Sequence, residues 1–398
     1  MSYEIAATGL NAVNEQLDGI SNNIANAGTV GYKSETTQFS AMYAGSQAMG
    51  VSVAGTAQSI SRGGSMVSTS NALDLAINDD GFFVMCDSAG NVTYTRAGSF
   101  ETDKNGYIVN SAGDYLQGYP VDTDGNLQTG TVTDIQIQTG NIPAEATTNL
   151  TFVANLDASD DAIDTDSIPF DPTNSSSYTD SYTTPVYDSL GNEHSVGQYF
   201  VKTGDNSWTV HYTFDGAEQD TTVDLSFDPN TGKLVSPTTP QSIEFDTSDA
   251  APIDMTFDYT SCTQYGSEFS VTANSANGYA SADQNGVQVD ADGKVYATYS
   301  NGERMLQGQV VLATFPNENG LEAVSGTAWT QTGESGTALI GVPGSGVCGT
   351  LSSGMLEGSN VDLTSELVDL MTAQRNYQAN TKVISTSTQL DDALFQAM

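Results

Sequence analysis

The stretch Ile5-Ala-Ala-Thr-Gly-Leu10-Asn-Ala-Val13-Asn-Glu-Gln-Leu17-Asp-Gly-Ile20-Ser-Asn-Asn-Ile24-Ala-Asn26-Ala27 places an apolar side chain at every third or fourth position. Ala6, Leu10, Val13, Leu17, Ile20 and Ile24 step alternately by four and three, the spacing that keeps one stripe of a helix against another helix. The opposite face is Asn, Gln, Ser and Asp. Asn26-Ala27-Gly28 supplies a C-terminal stop. The pattern predicts a helix over residues 5 to 27 that needs a partner.

The far end repeats this style. Across 361–398, Leu363, Leu367, Leu370, Tyr377, Ile384 and Phe395 fall on one heptad seam, with Gln374, Thr381, Thr388 and Asp391 in its gaps. Ser359 or Asn360 is the expected cap, with Asp362 in the first turn. The simplest packing makes the two terminal helices partners in a coiled-coil-like pair. A lone helix of this kind, rich in Asn, Ser and Thr, is marginal in water. Both ends are therefore expected to be largely disordered in the free subunit and to fold only when neighbours bury their seams.

Between the helices the chain has β character. Short runs of Val, Ile, Thr, Tyr and Phe are punctuated by Asp-x-x-Gly turns at Asp87–Gly90, Asp103–Gly106, Asp122–Gly125, Asp188–Gly191 and Asp290–Gly293. None supplies the Glu that completes an EF-hand loop, so they are expected to be hairpin turns. From Pro143 to about Gly278 the chain becomes rich in Asp, Ser and Thr. Its acidic run (Asp157, Asp160, Asp161, Asp164, Asp166, Asp171) is expected to be a solvated loop. The fold class is α+β and multidomain: paired terminal helices (1–30 and 359–398), extended connectors (31–72 and 350–358), a first β domain (73–143 and 279–349), and a second β domain (144–278) nested inside the first.

Composition narrows the function. The chain has 398 residues and a net charge of −39, from 49 Asp and Glu against 10 Lys and Arg. Such a balance argues against nucleic acid, whose phosphates need clustered cations, and against anionic membrane surfaces. No apolar run approaches the roughly 20 residues that span a bilayer, and the N-terminus lacks the pattern of a cleavable signal. Cys86, Cys262 and Cys348 are sparse and odd in number, which suits free thiols better than a disulfide framework. Catalysis needs a constellation, and none assembles. His194 and His211 are the only histidines; no zinc spacing, nucleophile elbow or phosphate loop is present. No enzyme activity, metal or cofactor is expected.

Specific motifs sit on both helices. Leu17-Asp-Gly-Ile-Ser-Asn22-Asn23-Ile24-Ala-Asn26, followed by Thr29-Val-Gly31-Tyr32-Lys33, resembles the N-terminal signature of the flagellar rod and hook axial proteins. Gly354-Met-Leu-Glu-Gly-Ser359-Asn360-Val361-Asp362 and Gln374-Arg375-Asn-Tyr377-Gln-Ala-Asn380 resemble that family's C-terminal signature. Gly81-Phe-Phe-Val84, Tyr94-Thr-Arg-Ala-Gly98 and Gly113-Asp-Tyr-Leu-Gln-Gly-Tyr119 are similar to its first β domain. Gln309-Val-Val-Leu-Ala-Thr-Phe315 and the inserted 144–278 block point to the hook members over the shorter rod members.

The resemblance implies a self-assembling subunit whose helices form the inner core of a tube, with one β domain as middle shell and the other as outer surface. It also implies passage through the flagellar type III export apparatus without a cleaved signal, and assembly outside the cell into a curved, flexible hook that acts as a universal joint. The implied partners are further copies of the chain, the rod, the hook cap and the hook-associated junction proteins. The residues implied in self-assembly are Leu10, Val13, Leu17, Ile20, Asn22, Asn23, Ile24 and Asn26 in the first helix, and Leu363, Leu367, Leu370, Gln374, Arg375, Tyr377, Asn380 and Ile384 in the second. Gly31, Tyr32, Lys33, Ser359, Asn360, Val361 and Asp362 form the connecting motif. The polar gaps Gln374, Thr381 and Thr388 would allow alternative registers when the polymer bends. Two other readings are a distal rod or hook–filament junction subunit, and a secreted β-rich adhesin.

Overall fold

A computed structural model of the chain describes residues 2–44, 47–122, 125–247 and 250–397. It divides into two compact units. One holds the residues up to Thr139 with Asn285–Thr298 and those from Arg304 onward; the other holds Gly140–Gln284 with Tyr299–Glu303.

In the first unit, helix α1 (Ser2–Ala25) ends where expected. Asn26 folds back, its side-chain amide donating to Asn22 Oδ1 at 2.9 Å, and Thr29 N bonds Asn26 O at 3.1 Å. Helix α2 (Leu363–Ala397) starts one residue after its cap. That cap is Asp362, not Ser359 or Asn360: Asp362 Oδ1 accepts from Thr364 N at 2.9 Å and Ser365 N at 3.4 Å. A carboxylate there satisfies free N–H groups and faces the positive end of the helix dipole, which a neutral Ser or Asn does less well.

Residues 31–72 read as a connector in the sequence, yet much of this stretch is an antiparallel hairpin of β1 (Glu35–Ala44) and β2 (Gln47–Gln58), in register from Glu35↔Gln58. Its apolar side chains give no inward alternation, since Phe39, Met42 and Tyr43 are all exposed. The hairpin lies along α1: Thr37 Oγ1 donates to Glu15 O at 3.4 Å and Val51 N to Thr8 Oγ1 at 3.5 Å.

Beyond the hairpin, strands from both halves of the chain interleave. Phe82–Cys86 lies between Val92–Thr95 and Tyr115–Pro120, and Arg304–Val310 and Leu312–Thr314 join from the returning chain. The core between them is Phe82, Val84, Tyr94, Val311, Phe315 and Trp329, with Phe82 edge-on to Trp329 at 5.6 Å. Two further ladders zip the outgoing chain to the returning one: Leu75–Asn78 with Thr350–Ser353, and Met66–Ser68 with Met355–Glu357. The Asp-x-x-Gly stretches at Asp87, Asp103 and Asp290 are hairpin turns, each Gly N bonding the Asp carbonyl at 2.9 to 3.0 Å.

The second unit is a β-sandwich of two five-stranded sheets. Asn149–Asp157 is central in one; the other is a meander from Asp180–Tyr187 through Leu234–Ser236. Alternate residues of both enter one core, including Phe152, Phe200, Trp208, Tyr212, Phe245 and Phe257. Polar atoms inside it are matched: Tyr259 Oη lies 2.7 Å from Tyr212 Oη and donates to Gln198 Oε1 at 2.7 Å, and Trp208 Nε1 donates to Gln264 Oε1 at 3.0 Å. Both histidines are held structurally: His211 stacks on Phe170, and His194 stacks on Phe214 and pairs with Asp215 at 2.7 Å and Asp188 at 3.5 Å. The acidic run is a largely exposed loop. Asp157, Asp164 and Asp171 are held below the usual carboxylate range by bonds from Ser159, Ser167 and Thr173.

Asp180 differs from these. Its Oδ2 is buried without a partner, and burial, reinforced by Asp160 and Asp157, pushes its pKa from 3.8 up to about 6. A raised folded-state pKa means that the stabilisation from protonation is complete below the unfolded value and is lost as pH rises through about 6. Asp180→Asn should therefore stabilise the chain at pH 8 by roughly 1–2 kcal/mol, after allowing for solvent screening. The gain should vanish near pH 4 in urea unfolding curves; equal effects at both pH values would refute the assignment.

Candidate assembly interface

Helices α1 and α2 pack side by side through Val13, Leu17, Ile20 and Ile24 of one and Leu370 and Ala373 of the other. Val13 and Ile20 are buried, and Leu10, Leu17 and Ile24 half-buried, so the first helix presents the face its sequence predicts. The second does so only in part, through Leu370. Its fully buried residue in the contact is Ala373, while Leu363 and Leu367 are 47% and 50% exposed. Leu370 and Ile384 are half-buried, whereas Gln374, Arg375, Tyr377, Thr381 and Thr388 are exposed. The side chains of Asp391 and Phe395 lie outside the described residues. The helix is rotated because small residues, not large ones, set the contact. Asn380 lies over Gly9, where a Cβ would come within 2.9 Å of Asn380 Nδ2. Large aliphatics on an adjoining stripe are left outward.

Where the helices leave the β layers, the connecting motifs of both ends form one polar knot. Asn23, buried at the end of α1, uses its whole amide. Its Nδ2 donates to Glu35 O at 2.8 Å and Glu366 Oε1 at 3.0 Å; its Oδ1 accepts from Glu35 N at 2.9 Å and Tyr32 Oη at 3.2 Å. Asn22 donates to Glu35 Oε1 at 3.1 Å. Asn360 does for the returning chain what Asn23 does for the outgoing one: its Oδ1 accepts from Ser34 N at 2.7 Å, and its Nδ2 donates to Ser59 O at 3.0 Å and Arg62 O at 2.9 Å. Arg62 donates in turn to Asn360 O. Ser359 Oγ accepts from Val361 N at 3.3 Å, which shapes the turn into α2.

Charge lies beneath these amides. Lys33 Nζ donates to Glu357 Oε1 at 2.7 Å and to Arg62 O at 2.8 Å, with both side chains only 1% exposed. Glu357 Oε1 also accepts from Gly64 N at 2.9 Å, and Arg96 lies 3.6 Å from Oε2. Burial pulls the Lys33 pKa down while Glu357 opposes it, and burial with Glu35 and Glu366 pushes Tyr32 up to about 12. Gly31 is required where the strands cross. Its φ is +71°, and a Cβ would lie 2.5 Å from Ala97 N. Glu357, Arg96, Arg62, Glu35 and Glu366 were not singled out from the sequence. The available signal was a lone charge in a short apolar or Gly-rich motif, as in Gly354-Met-Leu-Glu-Gly. The knot's polar groups are largely engaged with one another; the arrangement fixes geometry.

Comparison with known proteins agrees. Residues 4–33 match the family described as flagella basal body rod protein, 76–155 the flagellar hook protein FlgE/F/G D1 domain, 155–279 the flagellar basal body protein FlaE D2 domain, and 352–397 the flagellar basal body rod FlgEFG protein C-terminal domain. The flagellar hook protein FlgE of Escherichia coli K12 is 40% identical, with 99% of each chain covered. The chain belongs to the flagellar hook protein FlgE family. Its function is that family's, a structural subunit of the flagellar hook. The Salmonella typhimurium FlgE is 39% identical over 99% of each chain, and that of Borreliella burgdorferi 31% over 96% of each. In fold, a crystal structure of Helicobacter pylori hook protein FlgE2 matches with a TM-score of 0.56 at 14% identity, covering 73% of this chain and all of that one.

Breaking one side of a buried ion pair costs far more than the pair contributes, because a lone charge stays buried. Lys33→Met should destabilise the first unit by about 3–5 kcal/mol in chemical unfolding. A loss below about 1 kcal/mol would show that the knot is peripheral.

Proposed function

We propose that the chain polymerises with itself into the curved, flexible tube of the hook and acts there as a universal joint between rod and filament. In this proposal the paired terminal helices (1–30 and 359–398), wound as a coiled coil, form the inner core. The block from 73–143 and 279–349 forms the middle shell, and 144–278 the outer surface. Leu10, Val13, Leu17, Ile20 and Ile24 hold the helix pair, and Leu363, Leu367, Gln374, Arg375 and Tyr377 face neighbouring subunits. The motif residues Asn22, Asn23, Asn26, Gly31–Lys33 and Ser359–Asp362 set the angle at which the helices leave the β layers. Export through the flagellar type III apparatus, assembly outside the cell under a hook cap, and contact with rod and junction proteins belong to the same proposal.

The supporting observation is the outward side of α2. Leu363, Leu367, Val368 and Met371 lie between 47% and 54% exposed on a helix of an otherwise acidic chain. An apolar stripe of this kind marks an interaction site. Further copies of the same helices are the natural cover, since each subunit brings both an apolar ridge and the groove beside it, lined by Ile5, Val13, Phe39 and Val51.

Negative-stain electron microscopy tests this with the intact chain and a version lacking 1–30 and 359–398, each concentrated in raised salt. Curved tubes from the intact chain alone are expected. Monomers in both samples would remove the claim that the terminal helices suffice for assembly.

A further inference from the structure

Charge is distributed unevenly between the two helices. Helix α1 carries Glu4, Glu15 and Asp18 and no Lys or Arg. In α2, between Asp369 and Asp391, the only charged residues are Arg375 and Lys382. In a chain with 10 Lys and Arg against 49 Asp and Glu, two cations alone on one helix stretch are conspicuous.

Their placement is equally uneven. Arg375 lies two positions beyond Ala373, the residue buried against α1, so about 200° round the helix. Val368 and Lys382, seven residues to either side of Arg375, share its outward stripe. Glu15 and Asp18 lie off the seam of Val13, Leu17 and Ile20; Glu15 borders the β1–β2 hairpin, whose Thr37 Oγ1 donates to its carbonyl at 3.4 Å, yet its side chain and that of Asp18 stay exposed. All four charged side chains are exposed, and none makes an ion pair among the described residues. Because both sets point away from the shared seam, one chain cannot bring them together. Two copies can.

Resting on the homopolymer reading above, the geometry points to a specific contact between subunits: the Val368–Arg375–Lys382 face of one α2 docks on the Glu15–Asp18 face of α1 in a second copy. Val368 and the flanking Leu367 and Met371 supply the desolvated apolar part of the contact. The cations select the partner face, because any other approach between such acidic chains sets like charges together. The contact is heterologous, one face meeting a different face, and so propagates along a polymer instead of closing a dimer. It also explains why the cations lie outward, where they leave the intrachain pairing untouched.

Charge reversal tests the pairing. Arg375→Glu with Lys382→Glu, and separately Glu15→Lys with Asp18→Lys, should each raise the concentration needed for polymers by about tenfold or more, since like charges then face each other. Circular dichroism should show unchanged helix and strand content in both. Combining all four substitutions should restore assembly to within about threefold of the parent, the behaviour of coupled sites. Reversed variants that polymerise at the parental threshold would overturn the pairing and assign the basic face to another acidic protein. A combined variant no better than the worse of its two components would also overturn it, with homopolymerisation intact. A parent chain that stays monomeric throughout would remove the assembly reading and this contact together.

Discussion

Lys33 Nζ sits 2.7 Å from Glu357 Oε1 with almost no access to water, and the geometry of both chain ends follows from that pair. A charge withdrawn from solvent is tolerated only when its partner and remaining hydrogen-bond sites are supplied in place. Here Arg62 O and Gly64 N supply hydrogen bonds to Lys33 Nζ and Glu357 Oε1, while Glu357 Oε2 makes no hydrogen bond and is balanced only by the charge of Arg96, 3.6 Å away. Residues separated by more than 300 positions must therefore meet at one point, and Asn23 and Asn360 continue the same demand outward with every amide atom used. The helices leave the β layers from this knot, so their direction depends on it.

Two kinds of contact divide the work in the first unit. The knot and the two ladders that zip outgoing to returning chain are polar and directional, which fixes register. The helix pair above them is closed by small residues, Ala373 and Gly9, and tolerates polar positions nearby. In the proposed tube, a rigid root and adaptable helices would let subunits shift against one another while keeping their bonds. The second unit is built differently. Its core is a conventional aromatic sandwich with polar atoms matched apart from Asp180, and most of its surplus carboxylates stay in solvated turns, where bonds from nearby Ser and Thr stabilise them.

Much was legible from residue order because it depends on local rules. The 3.5-residue spacing of Leu10, Val13, Leu17, Ile20 and Ile24 determines which side of α1 is buried, whatever it packs on. The Asp-x-x-Gly turns at Asp87, Asp103 and Asp290 depend on a left-handed Gly, and those at Asp87 and Asp103 also on a carboxylate that accepts from the turn's own backbone N–H groups. The acidic run reads as a solvated loop because so many carboxylates share no cations, and beyond Asp157, which closes a strand, it is largely exposed. The motifs at Leu17–Lys33 and Gly354–Asn380 carried the family.

What local rules could not decide was settled by packing over long separations. Side-chain size suggested that Leu363 and Leu367 would face α1, but close approach favours the smallest side chains, so Ala373 took that place and the leucines turned outward. The cap passed from Ser359 or Asn360 to Asp362 because Asn360 was needed, 326 residues away, by Ser34 N. The 35–58 hairpin was hidden because its apolar side chains do not alternate toward a core of their own; it gains order by lying on α1. The sequence by itself determined the elements, the turns and the family. Only the tertiary structure decided which face of α2 is free and which charges are buried, since both depend on partners brought together by the return of the chain.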